Sequence, residues 1–216
     1  MTSRPARIVA TLACAVALAG ALGACAPVIL GGAAVGAMVA TDRRTSGAQL
    51  EDEGIELRAA GRIRESLGDR VHVNVTSYNR QVLLTGEAPN AQDSQQVEQI
   101  VTRVENVRSI VNELGILGNT SLSQRSADTL VTAKIRASMV DTRDIFANAF
   151  KVVTERGTAY LMGRVTQSEA TRATDIARNT SGVQKVVRVF EVISGDELRR
   201  STPPQAQPAA ATPPKT

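Results

Sequence analysis

Asn74-Val75-Thr76 … Val82-Leu83-Leu84-Thr85-Gly86 and Lys151-Val152-Val153 … Ala159-Tyr160-Leu161-Met162-Gly163 superpose at a constant offset of 77 residues. Each stretch reads as a strand, a tight turn and a second strand. Val71, Val73 and Val75 alternate as a half-buried strand does, and Asn79-Arg80 and Glu155-Arg156-Gly157 supply the turns. Outward from these hairpins the repeat continues. Helical spacing precedes each, at 55–67 and 127–140, with Ala59, Ile63 and Leu67 falling on Val131, Ile135 and Met139 at an offset of 72. A helix follows each, at 90–104 and 167–179, the first with Val97, Ile100, Val101 and Val104 on one face. Strands return at 107–116 and 183–193, where Val107 meets Val183 at an offset of 76. Small shifts in offset are loop insertions. The unit is αββαβ, present twice, which predicts an α+β fold of two tandem domains at 53–117 and 126–195 joined by a linker at 118–125. Each is expected to hold a three-stranded mixed sheet, an antiparallel hairpin joined by a crossover strand, with two helices over one face.

The ends read differently. Arg4 and Arg7 precede an apolar run at 8–21, and Leu22-Gly23-Ala24-Cys25 follows. The pattern predicts a lipoprotein signal peptide over 1–24, since the run is too short to span a bilayer comfortably. It resembles the bacterial lipobox, in which small residues enter a peptidase and the Cys25 thiol accepts a diacylglyceryl group. The other reading is an ordinary leader that contains a cysteine. Cys14 has too short an apolar run before it to serve. Residues 25–52 are expected to form a lipidated segment and polar linker, and 196–216, rich in Pro and Ala at its end, a disordered tail.

Composition removes whole classes of function. The 216 residues include two Cys, one His, no Trp, three Phe and two Tyr. A Cys/His zinc site or a dithiol centre needs more ligands than that, and no nucleophile, base and orienting group stand together. No metal, cofactor, small-molecule substrate or catalysis is expected. The surplus of 25 Lys and Arg over 21 Asp and Glu is not read as nucleic-acid binding, because so few aromatic rings are present to stack on bases. An anionic lipid surface accounts for a basic balance equally well.

The strand-turn-strand blocks ending in Gly86 and Gly163, the helices after them, and Val107 and Val183 opening the last strands together resemble the BON domain. Two such units behind a lipobox are similar to the dual-BON outer-membrane lipoproteins, over 25 to about 195. Ile55-Glu56-Leu57-Arg58, Asn74-Val75-Thr76-Ser77-Tyr78 and Val152-Val153-Thr154-Glu155-Arg156-Gly157 carry the likeness most closely. The resemblance implies a non-enzymatic, lipid-anchored protein facing the periplasm that supports outer-membrane integrity. It also implies binding of anionic phospholipid through the first helix of the second domain. Ala26, in place of Asp after the lipidated Cys25, implies sorting to the outer membrane. Two or three acyl chains would anchor it stably, as one would not.

Charge locates such a site independently. Residues 53–117 carry 7 basic and 9 acidic side chains, whereas 121–195 carry 11 and 7. On the helix at 127–140, Leu130, Ala133, Lys134 and Ala137 form a row beside the expected core row, with Arg136 close by. At an offset of 72, Leu130 falls on Arg58, so an apolar residue stands where the first copy has a charge. Leu130 is therefore expected to enter the acyl region, with Lys134 and Arg136 meeting phosphates. The resemblance implies an aromatic residue at Leu130, and its absence implies weaker affinity. The competing reading is a scaffold, in which acyl chains only tether and the same face binds a protein such as outer-membrane assembly machinery. His72 is expected on a solvated strand face, Asp141 and Asp144 at a helix end or loop, and Gly86 and Gly163 where strands end and the backbone is crowded.

Overall fold

A computed structural model describes residues 42–118, 120–143 and 145–201, all of which belong to one compact unit. The signal peptide, Cys25, Asp144 and the tail beyond Ser201 lie outside the described residues. Helix α1, Ser46–Leu67, leads through a 3-10 turn at Gly68–Arg70 into strands β1, His72–Tyr78, and β2, Gln81–Ala88. Then come α2, Ala91–Thr102, β3, Ser109–Asn112, and the short β4, Gly115–Ile116. The second copy has α3, Leu122–Val140, a 3-10 turn at Ala147–Ala149, β5, Phe150–Glu155, and β6, Thr158–Val165. Helix α4, Gln167–Arg178, strand β7, Lys185–Val192, and helix α5, Gly195–Ser201, complete it. In each copy the hairpin is antiparallel and the crossover strand pairs in parallel with its second strand, giving the orders β1-β2-β3 and β5-β6-β7.

Local chemistry sets the element ends. Asn79 and Arg80 have φ of 50° and 64°, and Arg156 and Gly157 50° and 71°, the left-handed pair of a two-residue hairpin turn. Thr45, Asn90, Ser121 and Thr166 cap the four long helices, Thr166 with Glu169 in a full capping box. Two of these caps correct the sequence reading. Thr45 starts α1 inside the expected linker, and Ser121 starts α3 before residue 126. At the far end, 195–201 is helical where a tail was expected. Strands β2 and β6 also run two residues past Gly86 and Gly163. Gly86 has a φ of 110°, and a Cβ there would lie 2.1 Å from the His72 carbonyl oxygen. The crossover strand is interrupted beside it, between Asn112 and Gly115, and resumes in the same register.

The helix register differs from the expected offset of 72. The buried residues Asp52, Ile55, Ala59 and Ile63 of α1 match Asp128, Val131, Ile135 and Met139 of α3, an offset of 76. The two aspartates decide it. Asp52 accepts from the Asn79 and Arg80 backbone N–H groups and the Ser77 hydroxyl. Asp128 accepts from the backbone N–H groups of Arg156 and Gly157. Each helix thus clamps its own hairpin turn through one buried carboxylate.

Helices cover one face of each sheet, closing a core around Ile55, Leu84 and Val97 in the first domain and around Ile135, Leu161 and Ala173 in the second. The opposite faces cover each other. Tyr78 and Leu83 from the first sheet and Tyr160, Met162 and Val189 from the second form a third buried cluster. Polar bonds ring that seam. Glu87, wholly buried, pairs with Arg156 at 2.8 Å and His72 at 2.9 Å and accepts from the Thr120 hydroxyl. Lys151 pairs with Glu56 at 2.7 Å, and Asn74 donates to Glu155. His72 is therefore a half-buried partner of Glu87 and not the solvated side chain expected. Burial pushes the Glu87 carboxyl up, but bonds from Thr120, Arg156 and His72 prevail and hold it down at about 2.

Candidate functional site

Helix α3 turns Asp128, Val131, Ile135 and Met139 inward, which leaves the neighbouring rows in solvent. Leu130, Ala133, Lys134, Arg136 and Ala137 are all exposed, Leu130 by 63%. The structure therefore brings the expected residues to one outward surface. Successive residues turn by about 100°, so Leu130, Ala133 and Ala137 share a stripe with Lys134 on one flank and Arg136 on the other. Neither cation makes an ion pair among the described residues.

The corrected register changes the contrast with α1. Leu130 matches Gly54, not Arg58, and Lys134 matches Arg58, while Ala133 and Ala137 match Leu57 and Gly61. Leu130 thus adds an apolar side chain opposite a glycine, whereas at the next matched pair the first domain exposes Leu57 where the second has Ala133. The cations also differ in state. Arg58 is paired with Glu51 and Glu105, and Arg62 with Glu105 and the Arg103 carbonyl oxygen, so α1 ties two of its three arginines to its own domain and leaves Arg64 exposed.

Three exposed apolar residues were missed from sequence. Leu122 and Val140 extend the stripe toward the two ends of α3, and Phe146 follows the helix, exposed by 60%. Continuing the same helical spacing past Ala137 would have found Val140. Phe146 had no such signal, since its exposure depends on how the loop after α3 packs. Asp141 caps the C-terminal end of α3, as a helix-end acid.

The stripe is exposed along its length and carries separate cations, with the carboxylate of Asp141 at its C-terminal end. A hollow of about 370 Å³ at the seam includes His72, Asn74, Asp128 and Glu155, but Asp128 is engaged by the hairpin backbone and Glu155 by Asn74. Among the described residues no cluster of His, Cys, Asp and Glu could hold a metal ion, and no helix is long and apolar enough to cross a membrane.

A BON domain model matches twice, at 53–118 and 127–194. The chain is also 37% identical over 171 residues to outer membrane lipoprotein DolP of Haemophilus influenzae, covering 78% of this chain and 89% of that protein. This chain belongs to the dual-BON-domain outer-membrane lipoproteins. A second relative of this BON lipoprotein is a 21 kDa hemolysin of Actinobacillus pleuropneumoniae, 32% identical over 70% of this chain and 79% of that one. Among solved structures, CdsD, a structural protein of the type III secretion system of Chlamydia trachomatis, is similar at 13% identity. That match covers 69% of this chain and 98% of the other at a TM-score of 0.28. The sequence reading of two BON domains in an outer-membrane lipoprotein is borne out.

Proposed function

We propose that this BON lipoprotein is a non-enzymatic envelope protein whose second domain reads anionic phospholipid through α3. Acyl chains on Cys25 hold it to the periplasmic face of the outer membrane, where it helps to maintain that membrane's integrity. The observation that carries the reading is the exposed stripe of Leu130, Ala133 and Ala137 between Lys134 and Arg136, which make no ion pair among the described residues. A basic side chain near an anionic bilayer contributes about 1 kcal/mol, enough for a few of them to orient a domain that is already tethered. Leu130 adds apolar contact where the first domain has a glycine.

The test uses residues 40–216, which lack Cys25 and contain the compact unit with its cores closed within it. Partitioning onto phosphatidylcholine vesicles with and without phosphatidylglycerol is compared at low and high salt. The expected result is binding that needs the anionic lipid, weakens with salt and falls at least about tenfold in Leu130→Glu, with circular dichroism unchanged. Failure to bind either vesicle would overturn the reading. It would leave the acyl chains as a tether and the α3 face to a protein partner, such as outer-membrane assembly machinery.

A further inference from the structure

Resting on that reading, we infer that the lipid-contacting surface does not stop with α3 but continues around its C-terminal end onto Val140, Arg143 and Phe146, which meet the same anionic bilayer. Three independent observations converge on this corner. Val140 is 70% exposed and Phe146 60%, and they border a shallow hollow of about 220 Å³ together with Ile145 and Ala147. Phe146 is also the one exposed aromatic ring of the chain. Tyr78, Tyr160 and Phe150 are buried, and Phe190 packs edge-on against Phe150 at 5.9 Å. Aromatic rings are favoured at a membrane interface because a rigid apolar body can enter beneath the headgroups at small entropic cost. The stripe on α3 has aliphatic residues only, so Phe146 supplies a ring that the helix lacks.

Charge gives the second observation. Arg143 is exposed and makes no ion pair among the described residues, which adds a third free cation to Lys134 and Arg136 along one side of the domain. Asp141 and Asp144 flank Arg143 in sequence and oppose the three cations, leaving a surplus of one positive charge. The third observation is a cation beside the ring. Arg43 is nearly buried, bound through both nitrogens to Glu169 and to the Arg164 carbonyl oxygen, and its guanidinium lies 5.9 Å from the Phe146 ring centre. Arg43, next to the first described residue, thus lies beside Phe146.

The absence of tryptophan makes a direct test available, because Leu130→Trp and Phe146→Trp each introduce a lone fluorophore. Both variants are made in residues 40–216 and titrated with phosphatidylcholine vesicles containing phosphatidylglycerol. The inference expects a blue shift and shielding from an aqueous quencher at both positions, reversed by salt. It also expects Phe146→Ser to weaken partitioning about tenfold. A shift at position 130 with none at 146, and no loss in Phe146→Ser, overturns the inference and leaves the proposed function standing. No shift at either position, in variants whose circular dichroism is unchanged, overturns both.

Discussion

Helices α1 and α3 occupy the same place in two copies of one unit, yet they treat solvent in opposite ways. Their inward faces agree residue for residue, from Asp52 and Asp128 at the hairpin turns to Ile63 and Met139 in the cores. Their outward faces have diverged. Arg58 and Arg62 of α1 are tied to Glu51 and Glu105, whereas Lys134 and Arg136 of α3 make no ion pair among the described residues and flank Leu130. The scaffold demands only the inward row, so the outward row is free to carry function. Both helices expose apolar side chains, Leu50 and Leu57 on α1 and Leu130 on α3, and the difference lies at the matched cations, Arg58 being tied to its own domain and Lys134 making no ion pair among the described residues.

The hairpins offer the strongest way to break this equivalence. A Cβ on Gly86 would meet the His72 carbonyl oxygen at 2.1 Å and would also sit at a positive φ. Gly86→Ala should destabilise the protein by about 3 kcal/mol or more in chemical denaturation. Gly163→Ala meets the Ala149 oxygen at 2.5 Å without the positive φ and should cost less, about 2 kcal/mol. Equal losses would remove the distinction drawn between the two strands.

Next in size is the acid sensitivity of the seam. The Glu87 carboxyl is held at about 2, against an ordinary value of 4.5. A depressed folded-state value stabilises the protein above the ordinary one, and that stability is lost as pH falls toward 2. The contribution is about 3 kcal/mol. Burial raises the Glu155 carboxyl, the largest influence on it, so its protonation favours the fold and offsets part of the loss. Glu87→Gln should therefore flatten the dependence of stability on pH between 4.5 and 2. An unchanged slope would place the acid-sensitive groups elsewhere.

The buried clamps come third. Asp52 serves two backbone N–H groups, Ser77 and Arg44, whereas Asp128 serves two backbone N–H groups and the Gln124 amide. Asp52→Asn should cost about 2 kcal/mol and Asp128→Asn about 1 kcal/mol, read as a difference in denaturation midpoint. The smallest effect separates the outward faces directly. Leu57 and Ala133 are equivalent positions, and a glutamate at each adds the same charge. Ala133→Glu should weaken vesicle partitioning about fivefold, roughly the effect of one charge near an anionic surface, while Leu57→Glu leaves it unchanged. A loss at Leu57 would bring the first domain into the contact.

Much of this was legible in the residues. The hairpins showed because turn residues and alternation are local, and the exposed row on α3 because helical spacing is local too. The helix register was misread by one turn. An apolar row at every fourth residue looks the same after a shift of four, and only the bonds of Asp52 and Asp128 to their hairpins break the tie. The buried face between the sheets had a signal that went unused. Val82-Leu83-Leu84 and Tyr160-Leu161-Met162 are continuous apolar runs, as expected of strands covered on both sides. Leu83, Tyr160 and Met162 are the members of those runs that the other domain covers.

By itself, then, the sequence determined the repeated αββαβ unit, its turns, and the concentration of positive charge in the second copy. All of these follow from dihedral preference, spacing and composition, which need no knowledge of distant neighbours. Only the tertiary structure decided that the two sheets cover each other, that Glu87, His72 and Arg156 meet, and that Phe146 is left in solvent beside Arg43. Those outcomes depend on which surfaces lie opposite in space, and burial is a property of the neighbour as much as of the residue.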